Sequence, residues 1–245
     1  MANDTIIFGI YPVEEALKKS SIDKVFIQQG TANDKIQNII QQLDKYNVSI
    51  QYVPIEKLNR LTRGNHQGII AFTTPIKVYS LEDVVENLIK DKQNPLLLIL
   101  DQISDVRNFG AILRTAECTG IDAIIIPKMG AAPITGDAVK TSAGALYNLP
   151  IIKVDHVKDA VFYLQGSGIE VIAATEKTND SIYSKDLTGP LAIIMGSEGK
   201  GISNSVLSIV DQKASLPLLG EINSLNVSVA CGAILYEAVR QRLKL

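Results

Sequence analysis

At 245 residues, 46% hydrophobic and 20% charged, the chain is long enough to bury most of its apolar surface without disulfides or a structural metal. Its two cysteines, Cys118 and Cys231, exclude a disulfide-rich secreted scaffold and a zinc ribbon; both stand in apolar helical text, which predicts buried thiols in a reducing compartment. A formal charge of −2 excludes a uniformly basic nucleic-acid-coating protein but leaves room for a local basic groove.

The opening lacks a basic segment followed by an apolar one, and no apolar run nears the ~18 residues of a membrane span. A cytoplasmic protein without membrane association is therefore expected. All six arginines fall in three pairs, Arg60 with Arg63, Arg107 with Arg114, and Arg240 with Arg242. That placement draws attention, because the guanidinium fork suits phosphate or carboxylate.

In chain order, "KVFIQQG" reads as a strand closed by Gly30. Asn33 or Asp34 then caps a helix carrying Ile36, Ile39, Ile40, Leu43 and Tyr46 at helical spacing. "VSIQYV" predicts a strand, "PIEKLNRLT" a short helix opened by Pro54, and "GIIAFTT" a further strand. Residues 1–75 thus form a small α/β domain. Residues 76–94, an amphipathic helix and a polar turn ending at Pro95, form a linker. Beyond it, "PLLLILD", "IDAIIIP", "GIEVIAATE" and "GPLAIIMG" are apolar runs of the kind found in parallel strands buried on both faces. Helical stretches around 109–119, 137–146 and 156–165 separate them, and a long helix runs from Asn226 to the end. The pattern predicts an open parallel sheet covered by helices over 95–245.

Three blocks place polar groups beyond buried strands. In "DQISDVRNFGAILRTAECTG", Asn108 can cap the next helix, and Arg114 stands among apolar residues where it needs water, a partner or a ligand anion. Pairing with Glu117 or Asp105 would account for it structurally. In "AIIMGSEGKGIS", a strand runs into Gly196, Gly199 and Gly201 with Glu198 between them. Such a turn can present backbone groups to a flat ligand or an anion, or be simply tight. It matches neither dinucleotide nor triphosphate glycine fingerprints. In "LPLLGEINSLNVSVACGAILYEAVRQR", Ser224 or Asn226 can cap the terminal helix. Its small residues Ser228, Ala230, Gly232 and Ala233 suit a close seam, within the core or between two copies. The two histidines, His66 and His156, lack metal-ligand or triad spacing, so no metal site is expected. Thr62, Arg63, Asn65 and His66 make a polar turn that can serve as a nucleic-acid contact or as a plain loop.

Taken in order, these three blocks resemble the motifs of the SpoU, or TrmH, family of SPOUT RNA ribose 2'-O-methyltransferases. "FGIYPVEEAL" and "NHQGIIA" resemble the amino-terminal domain of its two-domain 23S rRNA guanosine members. The resemblance implies an L30e-like first domain that binds RNA and a SPOUT α/β domain with a carboxy-terminal trefoil knot, an exception to the rule against threaded chains. It further implies S-adenosylmethionine as cofactor, a homodimer, and methyl transfer to a ribose 2'-hydroxyl, most simply of a 23S rRNA guanosine. Transfer RNA and an rRNA adenosine are the alternative substrates, and a non-catalytic ribosome-assembly factor the alternative role. Matched position by position, Gly196, Leu216 and Leu225 fall on cofactor contacts. Arg114 falls on the family arginine near the reacting hydroxyl or its phosphate, and Asn108, Glu198, Ser224 and Asn226 on its polar surround. A guanidinium is a demanding general base, which favours phosphate-assisted deprotonation with Arg114 as the positioning cation. Arg60, Arg63 and His66 are the expected RNA contacts in the first domain. Tyr11 departs from the family, standing where many relatives have histidine.

Overall fold

The structure, a computed structural model, describes residues 5–18, 22–31, 33–45, 48–73, 76–132, 134 and 136–244. Tyr46 and the expected domain boundary at 75 lie outside them. The chain divides into two compact units, residues 1–76 with 134–147, and 77–133 with 148–245.

The first unit comprises β1 (Thr5–Phe8), α1 (Ile10–Lys18), β2 (Ile22–Gln28), α2 (Asp34–Lys45), β3 (Ser49–Val53), α3 (Ile55–Leu61) and β4 (Ile69–Thr73). Its four-stranded sheet has the order β1-β4-β2-β3, with β4 antiparallel to both neighbours. Strand alternation sorts its two faces. Ile7, Val25, Ile27, Ile69 and Ala71 are fully buried on one. Phe26, Val53, Ile70 and Phe72 cluster with Leu58 of α3 on the other. The β1–α1 pair extends the elements predicted from sequence.

This unit also takes residues 134–147, which the sequence division assigned to the second domain. The segment forms α6 (Gly136–Thr141) and a 3-10 turn at Ala145–Tyr147. Ala138 and Val139 are buried there, and α6 packs on β1 and α1. The Tyr11 hydroxyl donates to the Ala143 carbonyl at 3.1 Å, so the residue that departs from the family contributes to holding this segment.

The second unit is a seven-stranded parallel sheet in the order β11-β9-β10-β6-β7-β8-β5. Its elements are β5 (Val78–Tyr79), α4 (Leu81–Asp91), β6 (Leu96–Asp101), α5 (Val106–Cys118), β7 (Ala123–Pro127), β8 (Ile151–Val154), α7 (Val157–Gly166), β9 (Glu170–Ala174), β10 (Leu191–Gly196), α8 (Asn204–Leu207), β11 (Gln212–Ala214) and α9 (Val227–Leu243). All six residues of β6 are buried, the apolar run Leu96–Leu100 and Asp101 after it, and each fully buried Leu or Ile there is worth ~1.5–3 kcal/mol. Helices α4, α7 and α8 close one core with Leu97, Ile99, Ile125 and Ile194 of the sheet. The supposed linker is part of this unit, since β5 pairs with β8 and α4 packs nearby.

Cys231 is buried as expected, and burial pushes its thiol up to about 12. Cys118 is exposed. Helix α5 buries Phe109, Ile112, Leu113 and Ala116, and residue 118 falls off that stripe. Among the described residues no group of three or more His, Cys, Asp or Glu could hold a metal ion, and no helix is long and apolar enough to cross a membrane.

Candidate active site

The parallel sheet delivers β9, β10 and β11 side by side, and their carboxyl ends open into a cavity of about 670 Å³. Open α/β sheets place ligands at this end, and the volume lies within the range of small-molecule sites. Thr175 and Glu176 beyond β9, Gly196 at the end of β10 with Ser197, Glu198 and Gly199 beyond it, and Ser215 and Leu216 beyond β11 line it. The segment from Asn223 to Val227, together with Leu218 and with Ala230 and Ile234 of α9, lines it as well.

Gly196 is glycine for a backbone reason. A Cβ there would lie 2.2 Å from the Gly201 carbonyl carbon and 2.3 Å from the Ile202 nitrogen. The 197–201 loop folds back tightly, with the Gly201 N–H donating to the Ser197 carbonyl at 2.9 Å. Gly199 and Gly201 turn it at φ +83° and +68°, a region where side chains are strained. Behind the loop, buried Asp101 at the end of β6 accepts from the Ser203 N–H at 2.9 Å. Asp101 supports the loop from outside the residues that the motif match singles out. Its signal is an acid closing an otherwise wholly apolar strand.

Asn226 joins the three motif blocks. Its Oδ1 accepts from the Ser228 N–H at 3.0 Å, capping α9 and satisfying one of the helix's free donors. Its Nδ2 donates to Asn108 Oδ1 at 3.0 Å and, in a close bond, to Glu198 Oε1. Glu198 Oε1 also accepts from the Val227 N–H at 3.3 Å. One side chain therefore fixes a helix start, an amide on α5 and the carboxylate of the glycine loop. Asn226, rather than Ser224, caps α9, whereas Asp105, rather than Asn108, caps α5 by accepting from the Asn108 N–H at 2.8 Å. Ser224 lines the cavity and is exposed.

Gly196, Leu216 and Leu225, the positions that the motif match makes cofactor contacts, all line the cavity. Arg114 is not among the lining residues. It is exposed on α5 and, among the described residues, has no hydrogen-bond or ion-pair partner. The structural pairings considered from sequence do not form: Glu117 instead accepts from Asn148 Nδ2 at 2.9 Å, and Asp105 serves the helix cap. Helices α5 and α9 pack together, with Gly232 next to Thr115, so small residues on α9 bring the arginine-bearing helix close to the one that starts at Asn226.

In the first unit, Arg60 and Arg63 are exposed but His66 is not. Its Nδ1 accepts from the Gly68 N–H at 3.0 Å, and its Nε2 lies 2.9 Å from Asn59 Oδ1. With both nitrogens engaged and only 8% of its surface exposed, His66 bolts α3 to the turn before β4 and has little surface or bonding capacity left for a ligand. The positive φ of Gln67 and Gly68 immediately after it marks the kind of turn in which such a bolt is needed.

Comparison with known proteins gives the chain its place. The SpoU rRNA Methylase family profile matches residues 95–236, and that for RNA 2'-O ribose methyltransferase substrate binding matches residues 6–79. The chain is 37% identical over 245 residues, 99% of either sequence, to a protein of Photobacterium profundum named 23S rRNA (guanosine-2'-O-)-methyltransferase RlmB. It is 38% identical over 241 residues to the protein of that name in Haemophilus influenzae, covering 97% of this chain and 98% of the relative. The fold matches the SpoU methyltransferase AviRb of Streptomyces viridochromogenes, solved in complex with AdoMet, at a TM-score of 0.83 and 23% identity over 99% of this chain and 91% of that one. Both halves of the sequence and the network built on Asn226 thus lead to one assignment: the chain belongs to the SpoU/TrmH family of RNA ribose 2'-O-methyltransferases.

Proposed function

We propose that this enzyme transfers a methyl group from S-adenosylmethionine to the ribose 2'-hydroxyl of a guanosine in 23S ribosomal RNA. It would act as a cytoplasmic homodimer with an L30e-like first domain and a carboxy-terminal part threaded as a trefoil knot. The observation that carries the reading is the Asn108–Asn226–Glu198 network at the mouth of the β9–β11 cavity. The end-to-end match to RlmB proteins, first unit included, supports a ribosomal guanosine over a transfer-RNA target.

The cavity fits the cofactor in size and in chemistry. Met195, Leu216, Leu225 and Ile234 offer apolar surface for a purine, and Glu176 and Glu198 offer carboxylates to a cationic group. When bound, S-adenosylmethionine supplies an electrophilic methyl group, so the protein's own task is alignment and the handling of one proton. Glu198 is held in place by Asn226 and the Val227 N–H. Arg114, a permanent cation whose side chain has no partner among the described residues, is free to hold an RNA phosphate beside the ribose. That phosphate, rather than the guanidinium, takes the hydroxyl proton.

Support for a homodimer comes from α9. Val229, Tyr236 and Leu243 are spaced by seven residues and are 58%, 56% and 64% exposed. They form an apolar stripe that a second copy would cover.

The test is site-resolved 2'-O-methyl mapping of unmodified 23S rRNA and of transfer RNA, each incubated with S-adenosylmethionine and the enzyme. One guanosine of 23S rRNA should be methylated. Arg114→Ala should lower the rate about 10²–10³-fold, the scale of losing one charge-stabilising group, with cofactor affinity retained. Methylation of transfer RNA alone, or an undiminished rate in the variant, would overturn the substrate or the role of Arg114 respectively.

A further inference from the structure

The substrate-binding family match covers residues 6–79 as a whole and leaves open which face of the first unit takes RNA; the sheet face that carries α3 has the chemistry for it. Lys24 stands opposite Phe72 in the β2–β4 register, and its ammonium lies 4.4 Å from the Phe72 ring centroid and 5.9 Å from that of Phe26. Lys57 of α3 places its ammonium 4.5 Å from the same Phe26 ring. The two rings meet edge to face with centroids 5.0 Å apart. Two cations therefore share one aromatic pair, an attraction that fixes otherwise mobile lysine side chains.

Two arginines follow on α3 and in the turn after it. Arg60 follows Lys57 by three residues and so lies on the same side of α3. Arg63 leads into Gly64, where a Cβ would lie 2.4 Å from the Phe8 ring. Phe8 packs against the Phe26–Phe72 cluster, so the Arg63 turn is pressed onto the same surface. The His66–Asn59 bond ties this turn to α3. Over residues 48–73, Glu56 is the single acid against Lys57, Arg60 and Arg63. Among the described residues, none of Lys24, Lys57, Arg60 and Arg63 has an ion-pair partner.

We propose that Lys24, Lys57, Arg60 and Arg63 form one phosphate-binding face, in which a buried aromatic cluster holds the two lysines in place to receive the backbone of the RNA substrate. The inference rests on the reading of the protein as an RNA methyltransferase and names the surface that grips the substrate. Because Phe26 and Phe72 are only 7% and 8% exposed, the rings cannot take stacked bases. The face reads charge and spacing, and sequence selection falls to other parts of the enzyme.

The test measures binding of the full-length protein to an unmodified 23S rRNA transcript over a range of salt concentrations. Lys24→Gln with Lys57→Gln should weaken binding about tenfold at low salt. It should also lower the slope of log affinity against log salt by about 1.5, since each lost phosphate contact removes roughly 0.7–0.9. The Lys24→Arg, Lys57→Arg variant keeps charge and ring contact and should restore both quantities. Lys45→Gln, a neutralisation on α2, should leave the slope unchanged. A slope unaltered in the Gln variant, with the wild type binding and methylating normally, overturns the face and leaves the enzyme assignment intact. Failure of the Arg variant to restore binding overturns it too, because the loss then follows packing rather than charge. A wild type that neither binds nor methylates rRNA overturns both readings.

Discussion

Helix α9 is polar at both ends, and the two ends use polarity differently. At its start, Asn226 spends its oxygen on the helix cap and its nitrogen on the half-buried Asn108 and on Glu198, and Asn226 and Glu198 are exposed beside a cavity. At its end, Glu237, only 7% exposed, receives Arg240 through two bonds of 2.8 Å and Gln241 through a third. Arg242 donates to the carbonyls of Leu187, Asn94 and Gly189 at 2.9, 2.7 and 2.6 Å. Gln241 both accepts from the Leu187 N–H and donates to the Lys185 carbonyl. Arg242 and Gln241 direct these donors to the chain around them, whereas the amino-terminal end leaves a carboxylate and an amide facing open space. A polar cluster becomes a candidate site when its bonding capacity is incompletely used, and charge alone does not distinguish the two.

The sharpest way to break the contrast is Arg242→Ala. It removes the donor shared by three carbonyls and should cost about 2–3 kcal/mol, since charge-assisted bonds matter most where they are partly buried. Thermal unfolding should register the loss, while the rate per folded molecule stays unchanged. A matching fall in rate would mean that this end, too, serves the site.

Asn226→Ser is next in size. The serine oxygen keeps the cap, so stability should hold within ~0.5 kcal/mol. Loss of the Nδ2 donor should slow methyl transfer about tenfold or more, on the scale of a positioning bond. Equal losses of stability and rate would show that the cap, not the network, is what matters.

The smallest effect concerns acid. Arg240, then Gln241, hold the Glu237 carboxyl at about 2, below its ordinary 4.5, against the opposing effect of burial. A group lowered on folding stabilises above its unfolded value, so this contribution is complete above pH 4.5 and fades as pH falls toward 2. Glu237→Gln should flatten that acid limb in a denaturant titration at several pH values, and an identical limb in the variant would remove Glu237 from the account.

The parallel strands β6, β7, β9 and β10 were legible because burial on both faces leaves unbroken apolar runs. The two-residue β5 carries too little text to signal a strand, and the antiparallel placement of β4 is a pairing choice that periodicity does not encode. Residues 134–147 look helical in either domain; what assigns them is the packing of α6 on α1 and β1 and the Tyr11–Ala143 bond, which are tertiary facts. Asn226 was legible as a cap, because its spacing before Val227 is local. Its bonds to positions 108 and 198 span 118 and 28 residues, and only the motif resemblance drew those positions together. His66 shows the converse: a polar residue beside arginines in a turn reads as a surface contact until its two hydrogen bonds are seen to face inward.

The contact between Gly196 and Gly201 bears on how such an enzyme could be redesigned. With backbone atoms 2.2 Å from any added Cβ, position 196 is closed to every side chain, alanine included. A library aimed at admitting a bulkier alkyl donor would waste its diversity there. Leu218, Asn223 and Leu225 line the same cavity from exposed chain, and variation in the shape of this pocket, in the laboratory or in nature, has its freedom on that side.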